Sequence, residues 1–330
     1  MGKAFERRVV AVTGASAGVG RAIVRAFAAR GAHIGLIARG IDGLEAAKRE
    51  VEEMGGRALV LPLAGAVEAA AELIERELGP IDIWINDAMV AVFAPVSETT
   101  PAEYKRVTEV TYLGYVHGTL AALKRMKRRD RGKIIQIGSA LAYRSIPLHS
   151  ASCAAKHAVR GFTESLRLEL RHERSKVRVT EVLLPAVNTP QFSWSRSKLP
   201  RQPQPLPPIF QPEVVADAVV FAADHDRREV WVGWPTVKAV MSERVAPGVG
   251  DRYLARSVYE KQETLKRANP RRRDNLYDPV PGDHGAHGRF DDRALDRSLE
   301  WSIAKHKYVA LGLGALGLVL AMTGLRLRSR

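Results

Sequence analysis

The chain has 330 residues, 46% of them hydrophobic, and a formal charge of +15. That apolar content excludes a globally disordered chain, and the length fits one α/β domain with an extension. The lone cysteine, Cys153, excludes an internal disulfide and points to a reducing compartment.

Met1 to Arg8 is polar, so no signal peptide is expected. Arg8-Val9-Val10-Ala11-Val12-Thr13 reads as a short apolar strand, and Gly14-Ala15-Ser16-Ala17-Gly18-Val19-Gly20 follows at once. Arg21 to Arg30 has helical spacing, Gly31 ends it, and His33 to Ala38 is a second strand. Small residues let a backbone turn tightly against a phosphate, and the helix start offers it unpaired N–H groups. A strand–glycine turn–helix–strand unit therefore predicts nucleotide binding.

Further on, Ile41 to Met54 reads as a helix, Ala58 to Leu63 as a strand, and Val67 to Leu78 as a helix. Ile81 to Ile85 is the fourth strand, followed by Asn86-Asp87-Ala88-Met89. Thr100 caps a helix with Pro101 at its first position, running to about Arg128. Lys133 to Ile137 is a strand, Ser150 to His172 a long helix, and Val177 to Leu183 a strand. A helix from Pro212 or Glu213 to Ala223 and a strand over Glu229 to Val232 complete the alternation. Strands alternating with helices predict an α/β fold with a doubly wound parallel sheet, the Rossmann arrangement, over residues 1–235. Such sheets bind ligands beyond the carboxyl ends of their strands, where Asn86, Ser139 and Pro185 fall.

Residues 190–212 are proline-rich and lack a helical period, which predicts a loop over the site. Residues 236–303 are rich in Arg, Asp, Gly and Pro and read as an irregular extension partly wrapped on the main domain. Its histidines do not make a persuasive metal site, and none is expected. Tyr308 to Leu325 is an 18-residue run without a charge. As a helix it would be about 27 Å long, close to a bilayer core of about 30 Å. Residues 304–330 are therefore expected to form a membrane anchor, with the main domain in the cytoplasm. The basic charge fits an anionic membrane surface. No nucleic-acid module is visible, so nucleic acid is not expected as a partner.

The spacing Thr13-Gly14-Ala15-Ser16-Ala17-Gly18-Val19-Gly20 resembles the signature of the short-chain dehydrogenase/reductase family. The resemblance covers about residues 5–235 and implies a nicotinamide dinucleotide bound by Gly14, Ser16, Gly18, Val19 and Gly20. In the family, an acid ending the second strand binds the ribose of NAD and a base accommodates the phosphate of NADP. Ala38-Arg39-Gly40 stands here, so Arg39 implies NADP(H) over NAD. The resemblance also gives Asn86 and Thr189 to the cofactor, Thr189 at the nicotinamide amide. Two motifs depart from the pattern. Leu63 is followed by Ala64-Gly65 where an Asp is usual, and Asp87 and Met89 replace Asn and Gly.

Gly132 to Ser139 resembles the strand that ends in the family's catalytic serine. The family places a tyrosine thirteen residues later and a lysine four beyond that. Lys156 is in place, but position 152 is serine. Ser152 and Lys156 still share one helix face. Thr111 aligns with the family's Asn. The implied catalytic set is Ser139, Ser152, Lys156 and Thr111, with Lys156 also holding the nicotinamide ribose. Tyr143 and His149 are the nearest substitutes for the missing phenol. The implied function is interconversion of an alcohol and a carbonyl on a small, apolar substrate, impaired at Ser152. The rival is a non-catalytic descendant that serves as a cofactor-binding scaffold or partner-binding membrane protein. Helices 101–128 and 150–172 resemble the family's dimer faces and imply a homo-oligomer.

Overall fold

The computed structural model describes residues 7–62, 66–269 and 271–306. Seven parallel strands form the central sheet: β1 (Val9–Thr13), β2 (His33–Ala38), β3 (Ala58–Pro62), β4 (Ile81–Asn86), β5 (Lys133–Ser139), β6 (Arg178–Leu184) and β7 (Glu229–Trp231). Their order across the sheet is β7-β6-β5-β4-β1-β2-β3. The chain starts in the middle, builds outward to β3, then returns to β4 on the other side of β1. That reversal opens a crevice at the carboxyl ends of β1 and β4. β5 and β6 run in register from Lys133 opposite Arg178 to Ser139 opposite Leu184.

Most strands read as continuous apolar runs because helices cover both faces of the sheet. One face carries α1 (Gly18–Ala28), α2 (Ile41–Glu53) and α7 (Pro212–Asp224), and its core includes Val10, Ile23, Phe27, Leu36, Val215 and Val219. The other carries α3 (Val67–Leu78), α5 (Gly114–Arg129) and α6 (Ser150–His172), packed on Ala11, Ile74, Trp84, Ile134 and Leu166. The predicted bounds of β2, α3 and α6 coincide with the observed ones.

Three expectations are corrected. α1 begins at Gly18, earlier than Arg21. The predicted single helix 101–128 has three parts: α4 (Pro101–Val107), a π turn (Thr108–Leu113) and α5. Thr100 caps α4 as expected, with a capping box completed by Glu103. The π turn widens the helix at Thr111, and such bulges favour functional sites. Residues 234–257 fold as α8 (Trp234–Val245) and α9 (Pro247–Ser257) rather than irregularly. Gly233 at φ +84° turns the chain out of β7, and Pro235 and Pro247 sit in the first turns of the two helices. Their apolar period is weak because few of their residues enter the main core: Trp234, Met241, Val249 and Tyr253 are exposed. A last helix, α10 (Leu299–Lys305), rests on α7 through Trp301 and Lys305, both bonded to Asp217.

Leu63, Ala64 and Gly65 lie outside the described residues, and so does the apolar run Tyr308 to Leu325. Among the described residues no helix is long and apolar enough to cross a membrane.

Candidate active site

The glycine turn joins β1 to α1 at the crevice. Gly14 takes φ +76°, and a Cβ there would lie 3.0 Å from the Ala88 nitrogen. Gly18 takes φ +60°. A Cβ on Gly20 would lie 2.2 Å from the Gly14 carbonyl oxygen. The turn is thus folded flat on itself and on the segment after β4, leaving no room for side chains. Beneath it Arg21 is buried, donating to the Gly43 carbonyl at 2.8 Å and the Ser16 carbonyl at 3.2 Å. Its Nε meets Glu50 at 2.7 Å, and Glu50 also binds Arg25. Burial alone would raise the Glu50 carboxyl, but the two guanidinium groups hold it down at about 2. This ion cluster fixes α1 and α2 around the turn.

The turn opens onto a cavity of about 1460 Å³. Gly14, Ser16, Gly18, Val19, Arg39 and Thr189 line one half, and Ser139, Ser152 and Lys156 line the middle. A dinucleotide cradle and the implied catalytic groups therefore share one space.

Ser139 ends β5, and its hydroxyl accepts from the Leu141 N–H at 3.2 Å. Lys156, on α6, is buried; its Nζ donates to the Ile137 carbonyl at 2.7 Å and to the Tyr115 hydroxyl at 3.0 Å. Tyr115 in turn donates to the Ile137 carbonyl at 2.9 Å. Burial lowers the Lys156 ammonium from its ordinary value, and Asp87 opposes this. Asp87 faces the same cavity. Burial raises its carboxyl well above the usual range, against the pull of Lys156. Ser152 is 3% exposed, and its hydroxyl has no hydrogen-bond partner. An unpaired buried hydroxyl costs about 1–3 kcal/mol, so this one marks a place where a ligand or water belongs.

The two substitutes for the family's phenol are poorly suited. The Tyr143 hydroxyl donates to Glu229 at 2.8 Å, and burial with that carboxylate pushes it up to about 12. His149 lines the cavity, but burial lowers it to about 4, so its ring is neutral at pH 7 and carries no acidic proton of useful strength. Tyr115 is a second phenol, this one bonded to Lys156, and is unforeseen in the sequence. Its pKa is raised well above the ordinary value by burial, and its hydroxyl points to a backbone carbonyl behind β5.

Three of the implied site residues stand back from the cavity. Asn86 is fully buried, accepting from Trp84 and donating to Thr119 and Gln136. It ties β4 to α5 and β5 and does not reach a cofactor. Thr111 donates to the Val90 carbonyl at 3.1 Å and accepts from the Val90 N–H at 3.2 Å, fixing the segment after β4. Gly20 supports the turn from below. Arg39 faces the cavity, but both its Nη atoms are already engaged, at 2.6 Å each, by the carbonyls of Tyr277 and Asn275 in the extension. The cavity lining is mostly apolar. Segment 190–212 contributes Phe192, Trp194 and Leu206, and α8 and α9 contribute Trp234, Met241 and Leu254. The predicted loop thus lines the site, while the lip from α8 and α9 gave no clear periodic signal.

Residues 8–199 match the family model described as short chain dehydrogenase. The chain is 32% identical over 288 residues to an uncharacterized oxidoreductase of Bacillus subtilis (strain 168), YxnA, covering 86% of this chain and 81% of that one. It is 31% identical over 222 residues to the fatty acyl-CoA reductase of Acinetobacter baylyi, covering 65% of this chain and 72% of that one. Among solved structures, it is similar to a metagenomic short-chain oxidoreductase in complex with NADP, with a TM-score of 0.58 and 28% identity over 69% of this chain and 97% of that one. An alcohol dehydrogenase from the archaeon Thermococcus sibiricus, complexed with 5-hydroxy-NADP, matches with a TM-score of 0.60 and 26% identity, over 68% of this chain and 95% of that one.

Proposed function

The chain belongs to the short-chain dehydrogenase/reductase family, and from that premise we propose that it is an NADP(H)-dependent oxidoreductase for an apolar alcohol or carbonyl, slowed by the loss of the phenol at position 152. The observation that carries this reading is the common cavity, in which the glycine turn, Arg39, Ser139 and Lys156 converge. The residues present fit a nicotinamide dinucleotide. Gly14 and Gly18 bring bare, positive-φ backbone to the cavity wall, and the Lys156 ammonium lines the same space. The bound nicotinamide would supply or accept the hydride. Ser139 would donate to the substrate oxygen, and Lys156 would hold the ribose and add positive charge. The apolar lining from α8, α9 and segment 190–212 favours a substrate with little charge near its reacting carbon. Reading the protein as a cofactor-binding scaffold is favoured by one observation, the unpartnered Ser152 hydroxyl where a proton donor is needed.

NADPH is expected to bind more tightly than NADH in fluorescence titrations, because Arg39 offers a cation and no acceptor for a bare ribose. Arg39→Asp is expected to narrow or reverse the difference. Equal affinities in the wild-type protein would remove the basis for NADP(H). Turnover on a panel of carbonyls then separates enzyme from scaffold.

The uncharged run Tyr308 to Leu325 supports attachment to a membrane, with the catalytic-type domain in the cytoplasm. The full chain is expected to sediment with membranes and to resist a high-salt wash, since apolar burial is not screened. Release by salt alone would show a merely electrostatic association. The long helices α5 and α6 support a homo-oligomer by their likeness to the family's dimer faces.

A further inference from the structure

Residues 274–291 of the extension cross the face of the molecule where β1 and β2 end. Their anchors are polar and converge on the cofactor half of the cavity. The Gly18 N–H, first in α1, donates to the Gly285 carbonyl at 3.0 Å. Arg21 reaches the Asp283 carboxylate at 3.3 Å, and the Gly282 N–H donates to Asp42 at 2.7 Å. Arg39 binds the carbonyls of Asn275 and Tyr277, and Arg106 binds that of Leu276 at 3.0 Å. At the far end His287 lies between two carboxylates, Glu213 and Asp291, each at 2.9 Å. Carboxylates only accept, so this geometry uses both ring N–H groups and favours the imidazolium.

The segment also lines the cavity. Pro279, Val280, Gly282 and His284 form part of its wall, while the outer side of residues 281–284 is exposed to solvent. A chain segment with one side in water and the other on a binding cavity, tied down by hydrogen bonds, encloses the space without filling it.

We propose that residues 275–288 are part of the cofactor site: a strap that walls the adenosine and phosphate half of the cavity, orients Arg39, and closes over the bound dinucleotide. The proposal rests on the dinucleotide reading above. It assigns binding to a part of the chain that lies wholly beyond the matched residues 8–199. Asn275 and Tyr277 hold the Arg39 guanidinium at the cavity wall, where its charge would be available to the dinucleotide. Gly285 docks the strap directly on the glycine turn. His287 and Asp283 latch it, through Glu213 and Asp291 at one end and Arg21 at the other.

The test uses the full chain with NADPH. Hydrogen exchange of amides 282–288 is expected to slow when NADPH binds, and the double variant Asp283→Ala/His287→Ala is expected to release NADPH about tenfold faster, measured by stopped-flow fluorescence, with a matching rise in Kd. Tenfold corresponds to 1.4 kcal/mol, the size of one or two lost hydrogen bonds. Unchanged exchange of amides 282–288 in the wild-type protein would overturn the strap without reference to any variant. An unchanged release rate in a folded variant would overturn it too. Tighter binding by the variant would show that Gly285 competes with a cofactor phosphate for the Gly18 N–H, the opposite of the proposal. If the wild-type chain binds neither NADPH nor NADH, the cofactor reading itself fails, an outcome distinct from the others.

Discussion

Ser152→Tyr is expected to raise carbonyl turnover by at least about tenfold over a wild-type rate near background, recovering part of the about 10²- to 10⁴-fold that a positioned general acid supplies. A carbonyl that accepts hydride becomes an alkoxide and needs a proton. The wild-type chain offers Ser139, which polarises, and Lys156, whose Nζ is committed to the Ile137 carbonyl and the Tyr115 hydroxyl. An aliphatic hydroxyl at position 152 is a far weaker acid than a phenol of pKa about 10. Ser152 lines the cavity and its buried hydroxyl has no partner, so a phenol introduced there breaks no hydrogen bond and stands one helical turn before Lys156. Adding Lys156→Ala to that variant should abolish the gain, since the buried ammonium is what draws a phenol pKa toward neutrality. Steady-state NADPH oxidation on a carbonyl panel reads all three proteins. Brisk wild-type turnover would show that another group delivers the proton. A variant that folds and binds NADPH yet stays inactive would move the loss to Asp87 or Met89 and strengthen the scaffold reading.

Gly20→Ala should weaken NADPH binding at least about tenfold and lower the melting temperature. The added methyl would stand 2.2 Å from the Gly14 carbonyl oxygen and 2.9 Å from an Asp87 carboxylate oxygen. The first of these is backbone, so the turn itself must shift. Overpacking of this kind costs about 1–3 kcal/mol in a well-packed core. The shift is transmitted to Gly14 and Gly18, the residues that leave space for a phosphate. Calorimetric titration and a thermal melt give the two readouts. Wild-type affinity and melting temperature in the variant would show that the turn has slack the geometry does not suggest.

Much of the sheet was legible because its strands are buried on both faces. Val9 to Thr13 and Ile81 to Ile85 are largely apolar runs closed by punctuating residues, and no amphipathic reading competes with them. The start of α1 was misread because Gly18 and Gly20 are poor helix formers, and close approach rather than propensity puts them there. α8 was missed because only Thr236 and Val240 of its residues are buried, too few to print a period. At the site, the residues that the family resemblance names at Ser139, Ser152 and Lys156 lined the cavity. Asn86 did not, because a side chain at the end of β4 can turn toward the crevice or toward α5, and Trp84, Thr119 and Gln136 decide the matter from distant places in the chain. The anchors of the extension on Arg39 and Gly18 are backbone carbonyls. Every residue carries one, so no residue type advertises the contact.

The bond between Gly18 and Gly285 also sets an order of events during synthesis. The two residues are roughly 270 positions apart, so at about 5–20 residues per second a ribosome makes the second on the order of a quarter of a minute to a minute after the first. Over that interval β1, α1 and β2 can pair and pack, but the open end of α1 has no Gly285 to meet. A nascent chain halted before the extension, or a finished one clipped within it, keeps the strands and helices of the sheet and lacks one wall of its cavity. A part translated late is thus the part that completes an early one.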